Sequence, residues 1–272
     1  EAFDERWEEL APMPVTRTEM ALTTYGGDVY AIGGKGLEGF SGEIFRYTPI
    51  EDQWEKLSGK PTPVADVQGV VIGEKIYIPG GLLEYGQYTY VLEIYDPRSD
   101  TWMKGAELPT SIGSYALVDF EGRMYLFGGW DGDQVLSVVY IYDPGENIWS
   151  TGTPMDEPRR DAAAITYSDK IIILGGRNSE SILNSTQVYY PSRDLEGDEP
   201  WQDFPELPTA RYDLGVVNLS NNLLVIGGRS SEENLSKDNF IIYFTGENWH
   251  KRNTNIDEVS QELNLVQDGP NI

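Results

Sequence analysis

Residues 114–149 read SYALVDFEGRMYLFGGWDGDQVLSVVYIYDPGENIW. Two apolar runs meet at Glu121-Gly122, residue types that accept the backbone of a tight hairpin turn. The second run stops at Gly128-Gly129, a third stops at Asp143-Pro144-Gly145-Glu146-Asn147, and Trp149 opens a fourth. The stretch predicts four short antiparallel strands: 114–120, 123–127, 137–142 and one beginning at Trp149.

The same unit recurs along the chain. Apolar runs precede Gly33-Gly34, Gly80-Gly81, Gly128-Gly129, Gly175-Gly176 and Gly227-Gly228, spaced by 47, 48, 47 and 52 residues. Trp7, Trp54, Trp102, Trp149 and Trp201 each stand 26 residues before a first glycine, and Trp249 continues the period. A single four-stranded sheet cannot bury both of its faces, so repeated sheets must stack on one another. Radial stacking shields the strand edges and gives a β-propeller. The glycine pairs serve backbone bends near the axis, and the tryptophans supply apolar surface between blades.

The composition agrees. Gly 29, Pro 16 and an aromatic share of 12% describe many short strands and tight turns, an all-β chain. Forty-five acidic residues against 20 basic ones give a net charge of −25, which opposes nucleic acid and anionic membrane as partners. No apolar run reaches the ~18 residues of a membrane span, and no signal-peptide pattern is present. Exported and cytoplasmic locations both stay open. With no cysteine there are no disulfides, thiolate metal sites or thiol catalysis.

The double glycine, then Tyr95-Asp96-Pro97 or Tyr142-Asp143-Pro144, then tryptophan, resembles the kelch repeat. The resemblance covers nearly the whole chain. It implies a single kelch-type propeller domain over 1–272, with repeat units of about 15–58, 62–106, 109–153, 156–205 and 208–253. Five complete four-stranded blades are expected, plus an incomplete sixth built from both termini, 1–14 and 254–272. The register of Trp7 and Trp249 motivates that sixth blade, and its missing second strand is expected from truncation of a longer native chain. A reduced blade is the alternative. Kelch propellers include substrate adaptors, cytoskeletal binders, sugar-handling proteins and some enzymes, so fold alone does not assign function.

In that family, two loop sets share one end of the channel: the turn leading into each first strand, and the loop after each glycine pair. Sixteen residues before each first glycine stand Arg17, Val64, Ile112, Arg159 and Arg211; just after the pairs stand Lys35, Leu82, Trp130, Arg177 and Arg229. Six of these ten are basic, and Arg160 adds a seventh cation nearby. Units two and three contribute Leu82, Leu83, Tyr85, Tyr88, Tyr90, Ile112 and Trp130 instead. This pattern predicts a mouth with a cationic wall and an aromatic wall. The expected ligand-binding set is Arg17, Lys35, Arg159, Arg160, Arg177, Arg211, Arg229, Trp130, Tyr85 and Tyr88.

The expected function is a non-catalytic binding module for an acidic peptide or other anionic ligand, gripped by arginine forks and an apolar wall. Resemblance to kelch substrate adaptors points the same way. A structural alternative stands beside it. Glu19, Asp66, Ser114, Asp161 and Asp213 lie two residues after the arginine positions, so each arginine can pair with a carboxylate on its own strand face. Carbohydrate binding or sugar isomerisation using such carboxylates is a further alternative, and a purely structural scaffold another. His250 is the only histidine, which leaves no multi-histidine metal site and no evident Ser–His–Asp arrangement. Kelch copper oxidases require a cysteine and histidine ligands, and kelch iron-binding specifier proteins a carboxylate four residues before a histidine. Gly246 stands there in this chain. No catalytic residue, metal or cofactor is therefore expected.

Overall fold

The structure is a computed structural model of the chain, and it describes residues 9–219, 222–231, 241–244 and 248–252. It contains five four-stranded antiparallel sheets. The first consists of Ala21–Tyr25, Asp28–Ile32, Ile44–Thr48 and Gln53–Leu57; the second of Val70–Ile72, Lys75–Pro79, Leu92–Asp96 and Thr101–Lys104. The third is Ala116–Phe120, Arg123–Phe127, Val139–Asp143 and Ile148–Thr151; the fourth Ala163–Tyr167, Lys170–Leu174, Thr186–Tyr189 and Trp201–Phe204. These four blades are described in full. The fifth sheet is Tyr212–Leu219, Asn222–Arg229, Ile241–Phe244 and Trp249–Arg252.

The expectation of five complete blades and a partial sixth thus reaches further than the described residues, which hold four full blades and this fifth sheet. The sixth-blade segments 1–14 and 254–272 lie outside them, apart from 9–14. The kelch-type, all-β propeller architecture stands. The expected strand 114–120 begins at Ala116 instead, because Ser114 takes a left-handed φ of 54° that no strand accommodates.

The first four glycine pairs each serve a contact between blades. The second glycine of a pair donates its N–H to the residue that leads into the next blade: Gly34 to the Val64 carbonyl, Gly81 to Ile112, Gly129 to Arg159 and Gly176 to Arg211, all at 2.8 Å. A Cβ on the first glycine would lie closer than 3.0 Å to that same carbonyl oxygen at Gly33, Gly80, Gly128 and Gly175. The pair is glycine because the neighbouring backbone occupies the side-chain position.

At the outer rim the tryptophans do matching work. Their indole N–H groups donate to the segment that precedes each blade: Trp54 to the Ala11 carbonyl, Trp102 to Ser58, Trp149 to Ala106, Trp201 to Thr153 and Trp249 to Pro205. The rings of Trp54, Trp102, Trp149 and Trp201 pack on the third-strand tyrosine of their blades, 4.9–5.1 Å between centroids for Tyr47, Tyr95, Tyr142 and Tyr189. Each tyrosine hydroxyl in turn donates to Asp52, Asp100, Asn147 or Asp194. Those side chains accept the N–H of Ala11, Ser58, Ala106 and Thr153 in the segment that precedes each blade. The longer fourth repeat is explained by a helix, Pro191–Glu196, inserted between its outer strands, which carries Asp194 into that shared position. Among the described residues no helix is long and apolar enough to cross a membrane.

Gly128→Ala should destabilise the protein by about 3 kcal/mol, combining a strained φ of 62° with a lost contact between blades. Gly122→Ala, at φ 74° with nothing within 4 Å of the added Cβ, should cost only about 1 kcal/mol. Denaturant unfolding of both variants checks the account, and equal losses would refute it.

Candidate functional site

The turns leading into the first strands meet at one end of the channel. Glu19, Asp66, Ser114, Asp161 and Asp213 all take left-handed φ values of 53–59° there. Their peptide groups form a head-to-tail chain around the axis. Asp66 N–H donates to the Glu19 carbonyl, Ser114 to Asp66, Asp161 to Ser114 and Asp213 to Asp161, at 2.7–3.3 Å. The side chains of these five, with Gln68, line the mouth. The loop after each glycine pair bridges back to the same turns through Thr18–Lys35, Ala65–Leu82, Gly113–Trp130, Arg160–Arg177 and Tyr212–Arg229. Both loop sets therefore occupy one end.

The structure separates the basic residues into two groups. Arg17, Arg159 and Arg211 are buried, Arg159 completely, and present no guanidinium at the mouth. Each donates Nη1 to the carbonyl of the first glycine in its own blade: Gly33 at 3.1 Å, Gly175 at 3.0 Å and Gly227 at 2.7 Å. Arg17 also reaches the Glu43 backbone and carboxylate, while Arg159 reaches Glu157, Ser185 and Gln187. A glycine twisted out of the strand ladder leaves a carbonyl that needs a donor, and the arginine supplies it. These three are thus a correction to the expected cationic wall. Blade two differs. Val64 replaces the arginine, and buried Lys60 pairs with buried Glu93.

Arg160, Arg177 and Arg229 do lie at the loop end, but facing carboxylates. Arg177 Nε donates to Asp161 at 2.6 Å and its guanidinium stacks 4.4 Å over Tyr212. Arg229 Nε lies 3.5 Å from Asp213. Arg160 stacks 4.8 Å over Trp130 and lies 3.8 Å from Asp161. Lys35 is exposed, its ammonium 5.6 Å over Phe40. Tyr88 is drawn in, its hydroxyl donating to Asp66 at 2.9 Å, whereas Tyr85 projects with 90% exposure. Trp130 is half-buried beneath Arg160. The ion-pairing alternative describes this mouth better than an open basic rim.

The fold finds its match among known proteins. Residues 19–195 match the family model described as the KLHDC2/KLHL20/DRC7 Kelch-repeats domain. The chain belongs to the kelch-repeat family. Kelch-like protein 35 of Mus musculus is 31% identical over 139 residues, half of this chain and 23% of that protein. Beta-scruin of Limulus polyphemus is 28% identical over 152 residues, half of this chain and 16% of its own length. The chain thus spans less than a quarter of these curated relatives. A solved structure, "Structure of YjhT", superposes with a TM-score of 0.80 at 20% identity, covering 93% of this chain and 89% of the other. That likeness concerns the fold.

Some residues of this kelch mouth escaped the sequence reading. Glu38, Glu84, Asp133 and Glu180 are exposed carboxylates, one on each loop after a glycine pair in blades one to four. Their signal was an acid three or four residues past the second glycine, a spacing that Glu232 repeats in sequence outside the described residues. Leu37, fully exposed on the small hairpin formed by Lys35–Gly36 and Gly39–Phe40, escaped as well. No group of three or more His, Cys, Asp or Glu side chains among the described residues is arranged to hold a metal ion.

Burial pushes the Asp66 carboxyl up to about 6; hydrogen bonds from Ser114 and Tyr88 work against that shift, and the Asp161 charge adds to it. An unfolded aspartate titrates near ~3.9. The folded protein therefore holds this proton more tightly between those values. The resulting stabilisation is full below about pH 4 and is lost as pH rises through 6, amounting to about 3 kcal/mol. The wild-type minus Asp66→Asn stability difference should fall by roughly that amount between pH 4 and 7 in urea titrations. A pH-independent difference would refute the assignment.

Proposed function

We propose that this kelch propeller is a non-catalytic binding module that takes a protein partner on the loop end of its channel. The observation carrying this reading is the exposure of large apolar side chains there: Leu37 at 102%, Tyr85 at 90% and Tyr90 at 49%. Such side chains on well-braced loops suit an anchor for another surface. The anionic-ligand form of this reading rests on Lys35, Arg160, Arg177 and Arg229, of which the three arginines already face Asp161 or Asp213. A peptide selection from a random display library tests the location. Binders should lose roughly tenfold in affinity to Leu37→Ser/Tyr85→Ser. They should be unaffected by Met103→Ser/Ile148→Ser, which changes exposed apolar residues on outer strands. Binders sensitive only to the outer pair would overturn the proposal.

A sugar-handling reading has one observation in its favour, the Asp66 carboxyl held near neutrality beside Tyr88 and Ser114. Asp66→Asn separates the two readings, because peptide binding should survive it and turnover of a sugar would not.

The same reading takes the ring to be closed by a sixth blade from both termini. Its support is Ala11, which receives the Trp54 indole as Ser58, Ala106, Thr153 and Pro205 receive theirs. The segment ahead of blade one therefore stands where each other blade has the end of its predecessor. Fluorophores attached at the two ends should show efficient energy transfer that vanishes on unfolding; its absence in the folded chain would exclude closure.

A further inference from the structure

The loop end carries two features that together specify a partner, given the docking location proposed above. One is charge. Glu38, Glu84, Asp133 and Glu180 are exposed, and none is ion-paired with any described residue. They stand outside an inner ring of Glu19, Asp66, Asp161 and Asp213. The arginines of this end face Asp161, Asp213 and Trp130, and among the described residues of these loops Lys35, its ammonium over Phe40, is the one exposed cation. The exposed charges of these loops are therefore four carboxylates against Lys35, a negative balance. The other feature is apolar. Leu37 and Tyr85 project from neighbouring loops, and each is adjacent in sequence to one of the free carboxylates, Glu38 and Glu84. The two loops are in contact range, since a Cβ added at Gly39 would lie 3.5 Å from Glu84 Oε1.

We infer that the partner is a basic segment bearing one apolar or aromatic side chain. That side chain covers Leu37 and Tyr85, and its lysines or arginines face Glu38, Glu84, Asp133 and Glu180. Charge complementarity selects this occupant over an acidic one. An acidic segment has to pass the outer carboxylates and then displace Asp161 from Arg177 or Asp213 from Arg229, exchanging one ion pair for another at the cost of renewed desolvation. A basic segment meets carboxylates that water alone now solvates, and its apolar side chain removes Leu37 and Tyr85 from water.

The test is fluorescence anisotropy of the 272-residue chain with three labelled peptides of about twelve residues. One carries lysines and arginines around a central Leu-Phe. The second replaces Leu-Phe by Ser-Ser. The third replaces every lysine and arginine by glutamate. The first should bind best and weaken roughly tenfold between about 0.05 M and 0.3 M salt, because contacts between exposed charges are screened over that range. Leu37→Ser/Tyr85→Ser should weaken it equally at both salt concentrations, and Glu38→Gln/Glu84→Gln should flatten the salt dependence. All four positions are exposed, so circular dichroism should show unchanged folds.

Tighter binding of the acidic peptide, lost on Arg177→Ala or Lys35→Ala, would overturn the inference while leaving the loop-end location intact. Binding of the basic peptide that neither double variant alters would overturn both. No measurable binding of the basic peptide overturns the inference.

Discussion

The architecture depends on one hydrogen bond repeated around the axis: the N–H of a second glycine meeting the carbonyl that leads into the next blade. Neither residue can satisfy that bond inside its own sheet, so a single blade leaves an amide and a carbonyl without partners. The close approach also dictates composition, because a Cβ on the first glycine would collide with the same carbonyl. The consequences spread outward. The bend strips the first glycine's carbonyl from the ladder, and a buried arginine fills the vacancy in blades one and four and in the fifth sheet. A regular repeat thereby acquires a basic residue at a fixed offset that serves the backbone of its own blade.

This explains which parts of the protein were legible in the sequence. Strand pairing, turns and the tryptophan–glycine offset each follow from local rules, and Arg123–Phe127 occupies the range its apolar run indicates. The basic residues at the leading turns were equally regular, yet their regularity came from the backbone carbonyls they serve. Periodicity alone does not distinguish a side chain pointing into a blade from one pointing into the mouth. The ion-pairing alternative was legible because Glu19, Asp66, Asp161 and Asp213 share the repeat. The outer carboxylates were less so, since their offset from the glycines varies by one residue and their loops differ in length. Lys60 was hidden for another reason. It stands where other units have Met13, Leu108, Met155 and Leu207, and only its contact with Glu93 accounts for a charge in that place.

The mouth combines two layers with different duties. The inner layer, with its chain of peptide hydrogen bonds and its arginine–carboxylate pairs, sets the spacing between blades. Its charges are mutually engaged, so altering them disturbs packing as well as recognition. The outer layer consists of loop tips whose side chains contact little else. Chemistry can change there without cost to the ring, and for this reason recognition is expected to reside there rather than at the buried arginines.

The fourth blade illustrates how such a scaffold absorbs change. The contact made by Asp52, Asp100 and Asn147 is held in blade four by Asp194, although a helical turn has been inserted around it. The inserted residues stand out from the rim, with Leu195 73% exposed, while the carboxylate returns to the same point between the third-strand tyrosine and the preceding blade. The joint is thus defined in space and tolerates a variable length of chain between its fixed ends. An outer corner built this way can accept new segments, and with them new surfaces, while the bearing points between blades stay in register.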